Sequence, residues 1–275
     1  MTDERPLDDQ LIAREDGSVL WLTLNRPEAA NAVTPDQRDR LIDLLVDAGD
    51  RVEVRTVVLT ATGRHFCTGA DLRHSRPGPA RPEGAPDRVV GDVSRMIAAG
   101  AQRLMTAVLD CPKPVIAAVN GTAAGIGAHL ALACDLVIAA EDARFIEVFV
   151  RRGLVPDGAG AWLLPRLVGL HKAKELMFFG DEVPAAEAAR IGLVNRVVPA
   201  EELEKVAGEW AARLAAGPTR SIGLTKGLLN RSLDADRTTA LHDEALAQEL
   251  NMTTHDANEG VAAFVERRDP DYRGW

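Results

Sequence analysis

Positive charge is in short supply. Against 41 Asp and Glu the 275-residue chain sets 32 Lys and Arg, a formal net charge of −9 at pH 7, with the two signs interspersed. Nucleic acid is bound through a basic face, so that class of partner is excluded. A phosphorylated ligand would need locally placed cations instead. Cysteine is scarce too. Cys67, Cys111 and Cys134 are odd in number and two lie in apolar strand contexts. They read as reduced, buried thiols in a cytoplasmic protein, not as a disulfide framework. His65, Cys67 and His74 lack zinc spacing and a fourth ligand nearby, so no metal is expected. The opening MTDERPLDDQ is acidic and polar, and no secretory or transit segment is expected ahead of the first strand.

Two binding motifs are missing as well. No Gly-Lys-Ser/Thr follows any glycine turn, which excludes a phosphate loop. After Gly125-Ile126-Gly127, Leu130 stands where a dinucleotide fingerprint has its third glycine. A membrane span is also lacking. Pro112 to Ala140 (PKPVIAAVNGTAAGIGAHLALACDLVIAA) is long and apolar. Asn120, Gly121, His129 and Asp135 interrupt it, and its flanks carry no basic asymmetry.

What that stretch does contain organises the chain. It reads as a buried strand (Val115 to Asn120), a glycine turn (Gly121, Gly125, Gly127), a short helix from about Ile126, and a second buried strand (Asp135 to Ala140). Apolar runs without polar alternation fit a sheet covered on both faces. Glycines at a strand-to-helix turn admit a ligand close to the backbone. The helix start leaves N–H groups without intrahelical partners, and these suit a developing negative charge.

Elsewhere, Val19 to Asn25 is a strand after a short disordered lead. Thr34 caps a helix in which Pro35 occupies the first turn and Gln37 completes a capping box. Leu41, Leu44, Leu45 and Ala48 form its apolar face. Thr56 to Thr60 is another covered strand, feeding the turn Gly63 to Leu72. Arg73 to Asp87, with four prolines and two glycines, is a loop that reads equally as a lid or a solvated insertion. A helix over about Arg88 to Leu109 follows, then a strand from Arg144 to Phe149. Further helices cover Trp162–Leu167, His171–Phe179 and Pro184–Arg190, and Leu193 to Val198 is the last strand. From Glu201 the pattern is helical in four pieces, broken at Gly217-Pro218, Asp234-Ala235-Asp236 and Asn258. Strands alternating with helices and then helices alone imply an α/β core, residues 1–200, with a helical C-terminal part, residues 201–275.

Four motifs carry a resemblance: Asn25-Arg26-Pro27…Asn31-Ala32, Gly63-Arg64-His65-Phe66-Cys67-Thr68-Gly69-Ala70-Asp71-Leu72, the glycine turn of Pro112–Ala140, and Gly153-Leu154-Val155-Pro156. In that order and spacing, from about Val19 to Arg268, the chain resembles the crotonase superfamily of enoyl-CoA hydratases and isomerases. The resemblance implies a spiral of strand–strand–helix units with a helical C-terminal trimerisation region. It implies an acyl-CoA thioester substrate, whose coenzyme A is part of the substrate so that no cofactor is needed. It also implies a homotrimer or a hexamer of paired trimers, with Phe264 or Arg268 of one subunit near the CoA of another.

Site residues follow by the same resemblance. The backbone N–H groups of Ala70 and Ile126 form the oxyanion hole, although the family usually has glycine at the latter position. Arg26 meets a CoA phosphate. Glu28, Ala30, Thr68, Asp71, Leu72, Gly125 and Phe149 line the cofactor or acyl site, with a helix cap as the other reading of Asp71. The two glutamates of the hydratases are replaced by His129 and Phe149. His129, three residues after Ile126, lies on the oxyanion face of its helix as an acid–base group or a hydrogen-bonded pocket wall. Glu147 would share a face with Phe149 in an extended strand and substitute if the register shifts. Asp157, in a glycine-flanked loop, is the sharper base. The text around it is similar to the branch holding the ring-epoxide isomerase of phenylacetate breakdown and related double-bond isomerases, where this aspartate is the working base. Isomerisation through a stabilised enolate is the leading expectation. Hydration of a 2-enoyl-CoA is the alternative, and a non-catalytic acyl-CoA binding protein is the alternative of another class.

Overall fold

The computed structural model describes residues 5–74 and 81–275. Part of the proline-rich loop, residues 75–80, and the first four residues of the acidic start lie outside the described residues. The chain enters through one turn, α1 (Leu7–Gln10), and a hairpin of β1 (Leu11–Asp16) and β2 (Val19–Leu24). Then come α2 (Pro35–Asp50), β3 (Thr56–Ala61), β4 (His65–Cys67), α3 (Asp92–Ile97) and α4 (Arg103–Leu109). The middle holds β5 (Val115–Val119), β6 (Thr122–Ala124), α5 (Ile126–Ala133), β7 (Leu136–Ala140) and β8 (Arg144–Ile146). After these follow α6 (Gly160–Val168), α7 (Leu170–Phe179), β9 (Glu182–Pro184), α8 (Ala185–Arg190) and β10 (Arg196–Val198). Four helices close the chain: α9 (Leu203–Ala215), α10 (Thr219–Ser232), α11 (Arg237–Asn251) and α12 (His255–Glu266).

The strands form a six-stranded sheet, β1-β2-β3-β5-β7-β10, and a four-stranded sheet, β4-β6-β8-β9. Each step β3 to β4, β5 to β6 and β7 to β8 passes from the first sheet to the second; helices return the chain directly after β4 and β6, and after β8 by way of β9 and α8. Both sheets are parallel apart from β1 on β2 and β9 on β8. These are strand–strand–helix units repeated along an axis, the α/β spiral of the crotonase fold. All five residues of β5 are buried, as both covered faces require. The capping box forms: Gln37 N–H donates to Thr34 Oγ1 at 3.2 Å, and Thr34 N–H to Gln37 Oε1 at 3.1 Å.

Four local expectations change. From residue 5 on, the lead before β2 is not disordered but contains α1 and the edge strand β1. Asp16-Gly17, with Gly17 at φ +58°, is a short-hairpin signal. Only Leu11 of β1 is buried, so no alternation announced the strand. The helix expected from Arg88 starts at Asp92, whose carboxylate accepts the Val89 N–H, and its middle is a single π-helical stretch, Ala98–Gln102. The strand expected to reach Phe149 stops at Ile146, and Phe149 is helical, φ −56°, ψ −49°. Asn258 does not break a helix. It lies inside α12, where its side chain bonds Thr254 O, while Thr254 supplies the N-cap by accepting the Ala257 N–H.

The C-terminal helices divide in their packing. Leu203, Val206, Ala207, Ala211 and Ala215 of α9 are buried against the six-stranded sheet. Lys226 ties α10 down, donating to Val108 O at 2.9 Å and to Asp135 Oδ2 at 2.8 Å. Leu229 of α10, Leu233 just after it, and Leu241, Leu246 and Leu250 of α11 are exposed. On α12, Phe264 is exposed, and Arg268 just beyond it is held by Glu259 and Glu266. Among the described residues no helix is long and apolar enough to cross a membrane. All three cysteines are buried and free, and burial pushes the Cys67 thiol up to about 12, so it is not a nucleophile near neutral pH.

Candidate active site

Two glycine turns meet because their strands pair. β4 and β6 run parallel with His65 opposite Thr122 and Cys67 opposite Ala123. The turns that leave them, Thr68–Asp71 and Gly125–Ile126, emerge side by side. The approach is backbone to backbone: a Cβ on Gly127 would lie 2.0 Å from Cys67 O, which no side chain tolerates. A Cβ on Gly69 would be 3.8 Å from the Ile126 nitrogen. Ala70 is held by a parallel bridge to Val33, made as Val33 N–H donates to Gly69 O and Asp71 N–H to Val33 O. Ile126 is the first residue of α5, where an N–H has no intrahelical acceptor. Its side chain points at the 157–160 loop, with Cγ1 3.5 Å from the Cβ position of Gly158. The branched side chain thus narrows the space in front of the turn.

Arg26 departs from expectation. It is buried, and its Nη1 and Nη2 both donate to Asp71 Oδ2 at 3.1 Å. A guanidinium in that position faces a carboxylate inside the protein, not a ligand phosphate outside it. Asp71 also accepts from the Arg73 backbone and side chain and meets His74 Nδ1 at 2.8 Å. Burial pushes the Asp71 carboxyl up, but the bonds from Arg73, His74 and Arg26 outweigh it and hold it at about 2. Arg26 and Asp71 form a buried ion pair that locks Asn25–Ala32 to Thr68–Asp71, and Asp71 also caps the turn that follows it by accepting the Arg73 N–H. Asn31 joins the lock. It accepts the Arg26 N–H at 2.7 Å and donates to Thr62 O and His65 O.

The other expected contacts are scattered. Glu28 is exposed and pairs with Arg5. Ala30, left-handed at φ 52°, caps a short 3-10 turn, and its carbonyl accepts the Thr68 hydroxyl at 3.1 Å. Leu72 is 75% exposed, two residues beyond Ala70. Gly125, at φ +55°, has Val148 and the Phe149 ring beside it.

His129, Phe149 and Asp157 come together. The imidazole of His129 is fully buried and stacks on Phe149 with ring centroids 5.2 Å apart. Its Nε2 lies 3.0 Å from Glu147 Oε2. The strand argument for Glu147 fails because the chain turns at Phe149, yet the turn itself delivers Glu147 to His129. Two lone polar residues in apolar text, His129 in GIGAHLALA and Glu147 in RFIEVFV, were the available signal, since buried polar groups pair. Asp157 is half-buried, with Oδ1 enclosed and without a hydrogen-bond partner. Burial pushes its carboxyl above the ordinary range, and the nearby His129 pulls against that. This environment suits a group that both takes and returns a proton. A cavity of about 580 Å³ between α5, α6 and α10, lined by Leu132, Trp162 and Ile222 among others, does not include Asp157 or Ile126.

Comparison with known proteins identifies the family. Residues 14–274 match the family model described as enoyl-CoA hydratase/isomerase. A 1,2-epoxyphenylacetyl-CoA isomerase of Escherichia coli is 38% identical, covering 96% of this chain and 98% of its own. A short-chain-enoyl-CoA hydratase of Clostridium acetobutylicum is 34% identical, covering 94% and 96%. Among solved structures, an enoyl-CoA hydratase from Bacillus anthracis superposes with a TM-score of 0.86 at 34% identity, over 97% of this chain and 100% of that one. With its spiral fold, its paired glycine turns and these matches, the chain belongs to the enoyl-CoA hydratase/isomerase family and is an enzyme of it.

Proposed function

We propose that the protein isomerises an acyl-CoA thioester, moving a double bond (or isomerising a ring epoxide) through an enolate, with Asp157 as the acid–base group. The observation that carries this is the Asp157 carboxyl: half-buried, beside the glycine turns, with one enclosed oxygen unpartnered. Glu147, the other carboxylate nearby, is engaged with His129.

The chemistry follows from where charge goes. The thioester oxygen sits between the N–H groups of Ala70 and Ile126. Asp157 takes a proton from carbon, the C–H electron pair moves into conjugation, and negative charge collects on that oxygen. Two fixed donors there stabilise it, and the loss of one such donor typically costs about 10²–10³ in rate. Asp157 then returns the proton to a different carbon. No water is added, and one carboxylate suffices because removal and delivery occur on the same face. Leu72, exposed just beyond Ala70, is suited to line the path of the pantetheine chain.

A second reading, hydration of a 2-enoyl-CoA, has its own support in the His129–Glu147 pair, a second ionisable unit beside Asp157. A panel of 2-enoyl-, 3-enoyl- and aryl-acetyl-CoA thioesters tests the proposal. The expected outcome is conversion of a 3-enoyl to a 2-enoyl ester with no hydroxyacyl product. Hydroxyacyl-CoA as the main product would favour hydration, and no turnover on any ester would favour a binding protein.

A further inference from the structure

The most constrained side chain near the site is one for which the isomerisation scheme has no task. His129 is fully buried, and three contacts fix its ring. Phe149 stacks on one face at an interplanar angle of 16°. The backbone of Gly160 is pressed so close that a Cβ there would fall 2.0 Å from Nε2 and 2.3 Å from Cε1. Glu147 Oε2 lies 3.0 Å from Nε2. Nδ1 has no hydrogen-bond partner, and the Cβ position of Gly158 is 3.1 Å from it. Gly158 follows Asp157, whose Oδ1 also lacks a partner.

A buried carboxylate is costly unless paired, and an ionised one only accepts hydrogen bonds. Glu147 is therefore satisfied when Nε2 carries the ring proton. We propose that Glu147 is a positioning residue: it holds the Nε2 proton of His129 and so turns the Nδ1 lone pair toward the Asp157–Gly158 loop, as a relay for the proton that Asp157 takes from the substrate. This rests on the reading of Asp157 as the acid–base group.

The step balances without any further reagent. At rest Nδ1 and Asp157 Oδ1 are both unpartnered and not bonded to each other; when Asp157 takes the substrate proton, rotation of its side chain brings the new O–H to Nδ1, so the proton resides on the carboxyl or on the imidazole until it returns to the substrate. Among the described residues the charged groups facing the imidazole are Glu147, from the turn after β8, and Asp157, from the loop before α6. Met105 of α4 closes the same space without charge.

The test is the pH dependence of kcat/KM for Glu147→Gln beside the wild type. The amide can still accept from Nε2–H but lacks the negative charge that favours a proton beside it, so the free enzyme takes up its first proton less readily and the acidic limb moves to lower pH. The shift expected is about one unit or more, because neighbouring charges at such separations move pKa values by that amount. A lower plateau with unmoved limbs would assign Glu147 a merely structural role and overturn the proposal. Should Glu147→Gln fail to fold, ¹⁵N shifts of histidine-labelled wild type decide, with His129 assigned through His129→Gln. Nε2–H with a free Nδ1 at high pH is expected, and the Nδ1–H tautomer overturns the proposal. Asp157→Asn separates the two levels. If that variant is fully active, the reading of Asp157 is lost. If it is inactive while Glu147→Gln keeps the wild-type profile, this inference alone is lost.

Discussion

Asp157→Asn is expected to lower isomerisation by at least about 10²-fold, since a positioned general acid–base group contributes about 10²–10⁴. Affinity for the CoA ester should stay nearly unchanged. The amide matches the carboxylate in shape but can neither take nor return a proton. Nothing in the expected oxyanion contacts, the N–H groups of Ala70 and Ile126, depends on that side chain. The pH profile adds a sign. Burial raises the Asp157 carboxyl, and the carboxylate is the active form. Activity should therefore fall as pH drops through a value above the ordinary aspartate range, not within it. Full activity in Asp157→Asn would pass the role to Glu147 or His129.

Arg26→Ala is expected to be among the most damaging substitutions to stability. It strips the buried Asp71 carboxylate of its guanidinium, and removing one partner of a buried pair typically costs about 3–5 kcal/mol. Arg73 and His74 still reach Asp71, which places the loss toward the lower end. Thermal or denaturant unfolding measures it. Binding gives a second readout. If Arg26 acts by locking Asn25–Ala32 to Thr68–Asp71, affinity falls alike for full CoA thioesters and for short pantetheine analogues. A selective loss for the full esters, which alone carry the nucleotide phosphates, would restore the phosphate contact.

Motifs proved easier to read than their mechanics. Arg26 and Asn31 mark the family in the sequence, and a lone arginine in a polar turn resembles a ligand contact. Its burial depends on Asp71, 45 residues away, and no local pattern reveals that. The covered strands β3, β5 and β7 were legible because unbroken apolar runs have few other homes. β1 was not, because it is an edge strand with a single inward residue, and β4 and β6 were absorbed into the glycine turns they precede. The site was half legible. Ala70, Ile126, His129 and Asp157 lie in recognisable text, whereas the link from His129 to Glu147 depends on the chain leaving extended conformation at Phe149. A turn of that kind is set by packing, here the stack of Phe149 on His129, and not by local propensity.

The measurement closest to the central claim is turnover in ¹⁸O-labelled water. Wild-type protein is given a 3-enoyl-CoA, and the acyl products are followed by mass from the first turnover. Proton shuttling by one carboxylate predicts a 2-enoyl-CoA of unchanged mass and no hydroxyacyl species. A 3-enoyl-CoA left unconverted, while the 2-enoyl ester given to the same protein acquires ¹⁸O as a hydroxyacyl-CoA, would contradict the account and make hydration the activity of this site.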